Sequence, residues 1–145
     1  KVDATIKRGA RSRVTGTTKD LLFPAIVLDD VTNDMPAAHE EVFGPVAPII
    51  RFNGDDEGVR IANDTEYGLS SAVFTRDLER GMRFAKRIDA GMTHINDWTV
   101  NVEANTAFGG EKASGIGRFG GEWAIDEFTT AHWISTQEIP RTYPV

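Results

Sequence analysis

The sequence predicts an α/β domain in which helices flank a mostly parallel sheet. Short apolar runs of strand length alternate with segments of helical periodicity, and no repeat or linker divides the 145 residues. Some of the apolar runs are nearly continuous, which suits strands covered on both faces. Strands that alternate with helices are typical of β–α–β units. We therefore expect functional residues in the loops at the carboxyl ends of strands.

The first third is predicted to contain a helix, a strand and a short helix. Val2, Ile6 and Ala10 recur at helical spacing, and a polar, basic stretch then ends that helix. The apolar run at residues 23–28 predicts a buried strand. Pro36 marks the start of the next helix, because proline is tolerated in a first helical turn.

The middle of the chain is predicted to continue as strand, helix and strand. Gly44 and Pro45 lead into an apolar run at residues 46–52, which predicts a strand. Residues 53–56 are predicted to form a turn with capping residues, after which a helix runs to about residue 63. A further strand is predicted at residues 71–75.

A longer helix is predicted after Asp77, which is a suitable N-cap. Leu78, Met82, Ala85 and Ile88 share one face of that helix, and we expect the next glycine, Gly91, to end it. The remaining predictions are a strand at 92–96, an irregular loop to about 121, a helix at 122–128 and a final strand at 131–136.

Composition excludes several classes of function. The formal net charge is −6, from 16 Lys and Arg against 22 Asp and Glu, which argues against nucleic-acid or anionic-membrane partners. No run approaches the roughly 18 apolar residues of a membrane span. The chain contains no cysteine, so it supplies neither a thiolate nucleophile nor a cysteine metal site. It starts at Lys1 within a helical pattern, and we therefore expect a fragment or a processed product.

Two motifs are better explained by ordinary structure than by ligand binding. Residues 115–120 read GIGRFG and fit a dinucleotide fingerprint, but no apolar strand precedes them and Pro140 stands where an acidic residue is needed. The interpretation we favour is a glycine-rich connection into the next helix. His39, His94 and His132 lie in different elements without metal-ligand spacing, so we predict no metal site.

Glu41 and Phe43 are candidate cofactor-binding residues ahead of a strong strand. A carboxylate can accept hydrogen bonds from two vicinal ribose hydroxyls, and an aromatic ring two residues later can cover a nicotinamide face. The alternative is a surface glutamate and a core phenylalanine at a helix–strand junction. Spacing alone favours that alternative.

The loop that follows the strand at 92–96 is a candidate substrate pocket. Trp98, Val100 and Phe108 lie there among polar residues that include Asp97 and Asn101. An aromatic-lined loop can form one wall of an apolar pocket, or it can close the core beneath it. Composition does not distinguish these two interpretations.

Three ordered motifs resemble the aldehyde dehydrogenase superfamily. Residues 39–46 (HEEVFGPV) resemble its E-x-F-G-P signature, and residues 63–70 (NDTEYGLS) resemble its N-x-x-x-Y-G-L segment. Residues 108–120 (FGGEKASGIGRFG) resemble its F-G-G-x-K-x-S-G-x-G-R segment. Ala107 stands where the family commonly has proline. Together the motifs cover nearly the whole chain.

The resemblance implies NAD(P)-dependent oxidation of an aldehyde to a carboxylic acid. In that chemistry a cysteine thiolate attacks the aldehyde, hydride passes to nicotinamide, and a glutamate-activated water hydrolyses the thioester. Glu41 then corresponds to the nicotinamide-ribose carboxylate and Phe43 to the aromatic beside the nicotinamide. Phe108 corresponds to a substrate-tunnel aromatic, and residues 97–101 to the aldehyde-pocket loop. We expect Glu41, Phe43 and Phe108 to face one cleft.

The resemblance also implies that essential parts lie elsewhere. In the family the cysteine nucleophile, the glutamate base and the Rossmann domain precede this region, so we predict no catalytic residue in this chain. We interpret residues 1–130 as part of a catalytic domain and residues 131–145 as an oligomerisation strand and tail. The expected partners are a small aldehyde, the rest of a parent enzyme and further copies in a cytoplasmic homo-oligomer.

Two questions of specificity follow from the same resemblance. The segments at 95–97 and 118–121 look most like the branch that acts on benzaldehyde, salicylaldehyde or vanillin, and Trp98 suits stacking on an aromatic ring. The alternative is any hydrophobic aldehyde. An alternative of a different class is a folded interaction module that pairs through residues 131–136 without catalysis.

Overall fold

The computed structural model describes residues 1–14 and 16–144. The described residues form five helices and seven strands. The helices are α1 (Val2–Lys7), α2 (Pro36–His39), α3 (Gly54–Asn63), α4 (Leu78–Ala85) and α5 (Gly121–Phe128). The strands are β1 (Arg11–Ser12), β2 (Ile26–Asp29), β3 (Val46–Pro48), β4 (Tyr67–Gly68), β5 (Ser70–Val73), β6 (Met92–Ile95) and β7 (Glu111–Lys112).

The longest strand pairings are parallel, and they fall in two separate small sheets. In the first sheet β2 lies between β1 and β3, antiparallel to β1 and parallel to β3, with Ile26 opposite Val46. In the second sheet β5 and β6 are parallel, with Ser70 opposite Met92. The helix α4 connects β5 to β6, so these elements form one β–α–β unit. The predicted α/β class is confirmed.

Helix α4 packs closely on the second sheet because a glycine faces it. A Cβ atom at Gly81 would lie 2.9 Å from Thr75 Cγ2 and 3.1 Å from Ile95 Cγ2. Its amino end is capped as predicted, since Asp77 Oδ1 accepts a 2.9 Å hydrogen bond from the Arg80 amide. The helix ends at Ala85, however, and Gly91 does not terminate it.

Gly91 is required for a different reason. A Cβ atom at this position would collide with the carbonyl oxygen of Gly109, because the start of β6 lies directly against the segment Gly109 and Gly110. The prediction of a helix-terminating glycine is therefore wrong. Close approach of two backbones explains the glycine instead.

The core lies under the first sheet and is small. Leu28 is fully buried at its centre, with Ala10, Val31, Met35 and Ala37 around it. The buried Thr5 hydroxyl accepts a 2.9 Å hydrogen bond from the Ala37 amide, which joins α1 to α2. This satisfied polar contact is why a threonine is tolerated in the interior.

The chain exposes far more surface than a folded monomer of its size. Its accessible area is 11288 Å², whereas a compact 15.9 kDa protein exposes about 7,400 Å². Large apolar side chains account for part of the excess, among them Leu21, Phe43, Ile116 and Trp133, each at least 89% exposed. Surface of this extent is typical of a chain that packs against further polypeptide.

Several predicted elements differ from the observed ones. The segment predicted as a strand at 131–136 pairs with no strand in the described part of the chain and its side chains are exposed, so its pairing with another copy stays a prediction. A strand requires a hydrogen-bonding partner, which an apolar run alone does not provide. The two-residue strands β1, β4 and β7 were not predicted, because they follow from tertiary contacts rather than periodicity. No described helix has the length and apolar character needed to cross a membrane.

Candidate functional site

Glu41 and Phe43 lie on the connection between α2 and β3. Glu40 takes extended backbone angles and ends α2, and Gly44 and Pro45 then lead directly into β3. The side chain of Lys1 forms a 3.3 Å ion pair with Glu40 and donates a hydrogen bond to the Glu41 carbonyl. Contacts of Lys1 therefore hold the backbone of this connection, and the side chains of Glu41 and Phe43 take no part in them.

Both candidates line one cleft of about 1090 Å³. Its wall combines apolar side chains, among them Leu22, Phe23 and Val42, with charged ones that include Lys1 and Asp3. Glu41 supplies an acidic group at the same cleft. Apolar side chains together with charged groups that orient a ligand are the usual lining of a small-molecule site.

The two side chains are free to contact a ligand. The Glu41 carboxylate forms no hydrogen bond or ion pair within the described residues, and the Phe43 side chain is 93% exposed. A carboxylate acceptor two residues from an uncovered ring matches the chemistry of a ribose joined to a flat nicotinamide. The residues present therefore fit a nicotinamide nucleotide.

The loop after β6 presents two apolar side chains outward. Asp97 organises it: Oδ1 accepts a 2.8 Å hydrogen bond from the Trp98 amide, and Oδ2 accepts one of 2.8 Å from Asn101 Nδ2. Ser70 Oγ donates to the Thr99 carbonyl at 3.0 Å and ties the loop to β5. Trp98 and Val100 are 72% and 80% exposed, so they do not close this chain's core.

Phe108 lies in a pair of hydrogen bonds that joins two distant parts of the same loop. Its amide donates to the Phe119 carbonyl at 2.8 Å, and the Phe119 amide donates back at 2.7 Å. The Phe119 ring in turn lies 6.1 Å from the Phe128 ring on α5, tilted by 47°. The Phe108 side chain is half-buried.

The structure brings only some of the predicted site residues together. Glu41 and Phe43 share the large cleft, and Asp97 contacts Trp98 and Asn101 in one loop. Phe108 does not line the cleft of Glu41 and Phe43, so the expectation of one common cleft is not met there. Within this chain the cofactor candidates Glu41 and Phe43 share a cleft that none of the substrate candidates lines.

Tyr67 is a residue near Glu41 that motif analysis did not single out. The negative charge of Glu66 raises the pKa of the Tyr67 hydroxyl, and partial desolvation and the charge of Glu41 act in the same direction. Glu41 and Tyr67 also line a second cavity of about 410 Å³. Tyr67 belongs to the motif at 63–70, but the motif does not indicate that this tyrosine lies near Glu41.

The glycine-rich segment at 115–120 is a connection between short elements. It follows the two-residue strand β7, and Gly115, Gly117 and Gly120 all have positive φ angles of 157°, 75° and 91°. A dinucleotide fingerprint needs a long strand directly before it, whereas the strand before this segment has only two residues. The described residues also contain no cluster of three or more His, Asp or Glu that could hold a metal ion.

Comparison with known proteins decides the family. Residues 1–134 match the aldehyde dehydrogenase family. This chain belongs to that family. It is 50% identical over 143 residues to a benzaldehyde dehydrogenase of Bacillus subtilis, and 46% identical over 144 residues to a vanillin dehydrogenase of a Pseudomonas strain. Each match covers 99% of the chain and 30% of the relative.

Solved structures of aldehyde dehydrogenases match the fold as well. A salicylaldehyde dehydrogenase from Pseudomonas putida complexed with salicylaldehyde matches with a TM-score of 0.92, at 42% identity over 99% of this chain and 30% of that one. An aldehyde dehydrogenase from Mycobacterium tuberculosis complexed with NAD⁺ matches with a TM-score of 0.82 at 35% identity, over 89% of this chain and 27% of that one. The chain spans about 30% of the length of its curated relatives.

Proposed function

We propose that this aldehyde dehydrogenase chain forms part of an NAD(P)-dependent enzyme that oxidises aromatic aldehydes to carboxylic acids. The observation that carries the proposal is that the free carboxylate of Glu41 and the uncovered ring of Phe43 line the same cleft. The identity of 44–50% to benzaldehyde dehydrogenases over nearly the whole chain supports the choice of substrate class.

Glu41 and Phe43 have distinct parts in the proposed site. The Glu41 carboxylate accepts hydrogen bonds from ribose hydroxyls and fixes the sugar, while the Phe43 ring lies along the nicotinamide and excludes water from it. When bound, the nicotinamide accepts the hydride of the aldehyde. Lys1, which lines the same cleft, supports this arrangement because its side chain bonds to the Glu41 carbonyl and not to the Glu41 carboxylate.

The loop after β6 and Phe108 form the proposed aldehyde wall. Trp98 presents a large aromatic surface on which a substrate ring can stack, and Asp97 and Asn101 hold the turn that orients it. Val100 and Phe108 add apolar area to the same wall. Because this wall and the Glu41 cleft are separate within this chain, we propose that further polypeptide joins them into one chamber.

The chain alone is proposed to be inactive. It has no cysteine, so the attacking thiolate must come from polypeptide outside these 145 residues. We place the cysteine, the general-base glutamate and a Rossmann domain in a preceding segment of a cytoplasmic parent enzyme. The large exposed apolar area of this chain supports an extensive contact with such a segment.

A second candidate function is assembly through the carboxyl-terminal segment. Residues 131–144 are exposed, and Trp133 and Ile134 are 89% and 74% accessible without a strand partner in the described structure. Such a segment can add as a strand to another copy. Sedimentation of the chain and of a variant truncated after Phe128 tests this, because an identical monomeric state of both would contradict it.

The test of the main proposal is NADH formation from benzaldehyde. A protein that joins this chain to a cysteine-bearing aldehyde dehydrogenase segment is expected to turn over, and the 145-residue chain is expected to give none. Glu41→Gln is expected to raise KM for NAD, whereas Glu79→Gln, which removes an exposed carboxylate on α4, serves as a matched control. Turnover by the chain alone, or failure of the joined protein with every aromatic aldehyde, would contradict the proposal.

A further inference from the structure

The Lys112 side chain holds the loop that carries Phe108 against the end of α3. Lys112 Nζ donates to the carbonyl of Asn63 at 2.8 Å and to the carbonyl of Thr65 at 3.1 Å. Asn63 is the last residue of α3, and its carbonyl accepts a 2.9 Å hydrogen bond from the Thr65 amide as well as the one from Lys112. A cation at this position also complements the negative end of the helix dipole.

The backbone on both sides of Lys112 is fixed to the same turn. Lys112 pairs with Tyr67 across the β4–β7 ladder, and the Ala113 amide donates to the Glu66 carbonyl at 3.0 Å. The Gly68 amide donates to Ser114 Oγ at 2.9 Å. The loop therefore has side-chain and main-chain contacts to one short segment.

Lys112 adopts a backbone conformation that a lysine seldom takes. Its φ angle is 54°, in the left-handed region that carries a steric cost for residues with a Cβ atom. Such a conformation persists only where the surroundings determine it. Lys112 lies in a turn closed by the 3.1 Å hydrogen bond from the Ser114 amide to the Glu111 carbonyl, and the two carbonyl contacts of its ammonium group add to that constraint.

Only three residues separate Lys112 from Phe108, and each is held. The carbonyl of Gly110 accepts a 3.0 Å hydrogen bond from Arg118 Nη1, and Glu111 forms an ion pair with the same guanidinium. Gly109 lies in close contact with Gly91. The segment between Lys112 and Phe108 is thus linked to Arg118, the residue next to Phe119.

We propose that Lys112 is a positioning residue that sets the place of Phe108 in the aldehyde wall through its contacts with Asn63 and Thr65. The inference rests on the proposed function, in which Phe108 lines the aldehyde pocket. Lys112 touches neither substrate nor cofactor in this proposal. It acts by fixing the loop, so its loss weakens the binding of the aldehyde more than the rate of the subsequent chemistry.

The first experiment measures amide hydrogen exchange at Phe108 and Phe119 in the full chain. Lys112→Met removes the donor, Lys112→Arg keeps a cation that can reach the carbonyls, and Lys86→Met removes an exposed cation near the end of α4 as a matched control. We expect roughly tenfold faster exchange at both amides in Lys112→Met. Exchange requires the loop to open, and the loop opens more often when the Lys112 hydrogen bonds are absent. Lys112→Arg and Lys86→Met are expected to stay close to the parent chain.

Exchange at β2 amides distinguishes positioning from general loss of structure. Faster exchange confined to the Phe108 loop, with Leu28 unchanged and rescue by arginine, supports the proposal. Unchanged exchange at Phe108 and Phe119 in Lys112→Met would overturn it. Equal acceleration at Leu28 and in the loop would overturn it as well, since Lys112 would then stabilise the whole chain.

A kinetic measurement separates this proposal from the proposed function. In an active enzyme that contains this chain, Lys112→Met is expected to raise KM for benzaldehyde by roughly fivefold while kcat changes less. A fall in kcat with unchanged KM would overturn the positioning role. Failure of the enzyme to oxidise any aromatic aldehyde would contradict the proposed function, while the exchange result would still decide whether Lys112 holds the loop.

Discussion

The carboxylate of Asp29 lies between the guanidinium groups of Arg13 and Arg51. Arg13 Nη2 is 2.7 Å and Arg51 Nη2 is 2.8 Å from Asp29 Oδ2, and the Asp30 amide donates to Oδ1 at 2.9 Å. Asp29 ends β2, Arg13 follows β1, and Arg51 follows β3. The cluster therefore joins all three strands of the first sheet at one end. A buried carboxylate is tolerated there because each of its oxygens is paired.

The first prediction concerns the pH dependence of stability. Hydrogen bonds from Arg51 and then Arg13 hold the pKa of Asp29 well below its ordinary value of 3.8. A depressed pKa contributes stability that is fully present above the unfolded-state value and is lost as the pH falls towards the folded-state value. Asp29→Asn is therefore expected to lower the melting temperature at pH 7, and to do so progressively less below about pH 4.

Thermal unfolding followed by circular dichroism from pH 7 to pH 2 measures this difference. Asp56→Asn is the matched control, because Asp56 pairs with Arg87 at a side chain that is 92% exposed. An exposed ion pair contributes little to stability. A difference between Asp29→Asn and the parent chain that stays constant down to pH 2 would refute the assigned role of the cluster.

The second prediction concerns the core. Leu28 is fully buried at the centre of the core cluster, so Leu28→Ala is expected to lower the free energy of unfolding by about 2–5 kcal/mol. Leu21→Ala, at a fully exposed leucine, is the control and should change it little. Urea denaturation measures both, and equal effects of the two variants would contradict the assignment of the core.

The third prediction concerns the proposed cofactor residues. Phe43→Ala is expected to weaken NAD binding about tenfold in an active enzyme that contains this chain. The exposed ring is proposed to pack against the nicotinamide, and the substitution removes that contact. Isothermal titration calorimetry with NAD measures the dissociation constant. Phe74→Ala, another exposed phenylalanine that lies outside the Glu41 cleft, is the control. Unchanged affinity of Phe43→Ala would remove this residue from the site.

The fourth prediction concerns substrate choice. Trp98→Ala is expected to lower kcat/KM for benzaldehyde about tenfold while changing that for a short aliphatic aldehyde much less, because stacking requires a substrate ring. Ile116→Ala is the control, since Ile116 is 98% exposed in the glycine-rich connection. Equal losses for the aromatic and the aliphatic aldehyde would show that Trp98 does not select for the ring.

Local patterns in the sequence were sufficient for most of the helices. The helix at 122–128 and the end of the helix near residue 63 are predicted nearly to the residue, whereas residues 53–56 are predicted as a turn and α3 already begins at Gly54. Asp77 was identified correctly as a cap because its partner lies three residues away. Strand ends were less accurate: residues 46–52 were predicted, and β3 ends at Pro48. Where a strand ends depends on its neighbour, which periodicity does not encode.

The motifs also identified the family from the sequence, since its short signatures lie at 39–46, 63–70 and 108–120. Their relation to one another was not available from the sequence. The segment at 63–70 and the segment around Lys112 form one structural unit through the contacts of Asn63, Thr65 and Gly68. These residues are more than 40 positions apart, so no local pattern reports the contact.

The sequence by itself determined the family, the positions of the helices and the absence of a cysteine nucleophile, because each is written in residue identity or in local spacing. Only the tertiary structure decided that Gly91 serves close packing, that residues 131–136 have no strand partner within the described chain, and that Phe108 lies outside the cleft of Glu41 and Phe43. Those outcomes depend on which distant segments meet. Hydrogen bonding and close packing between such segments are set by the whole fold, and not by the residues that neighbour one another in the chain.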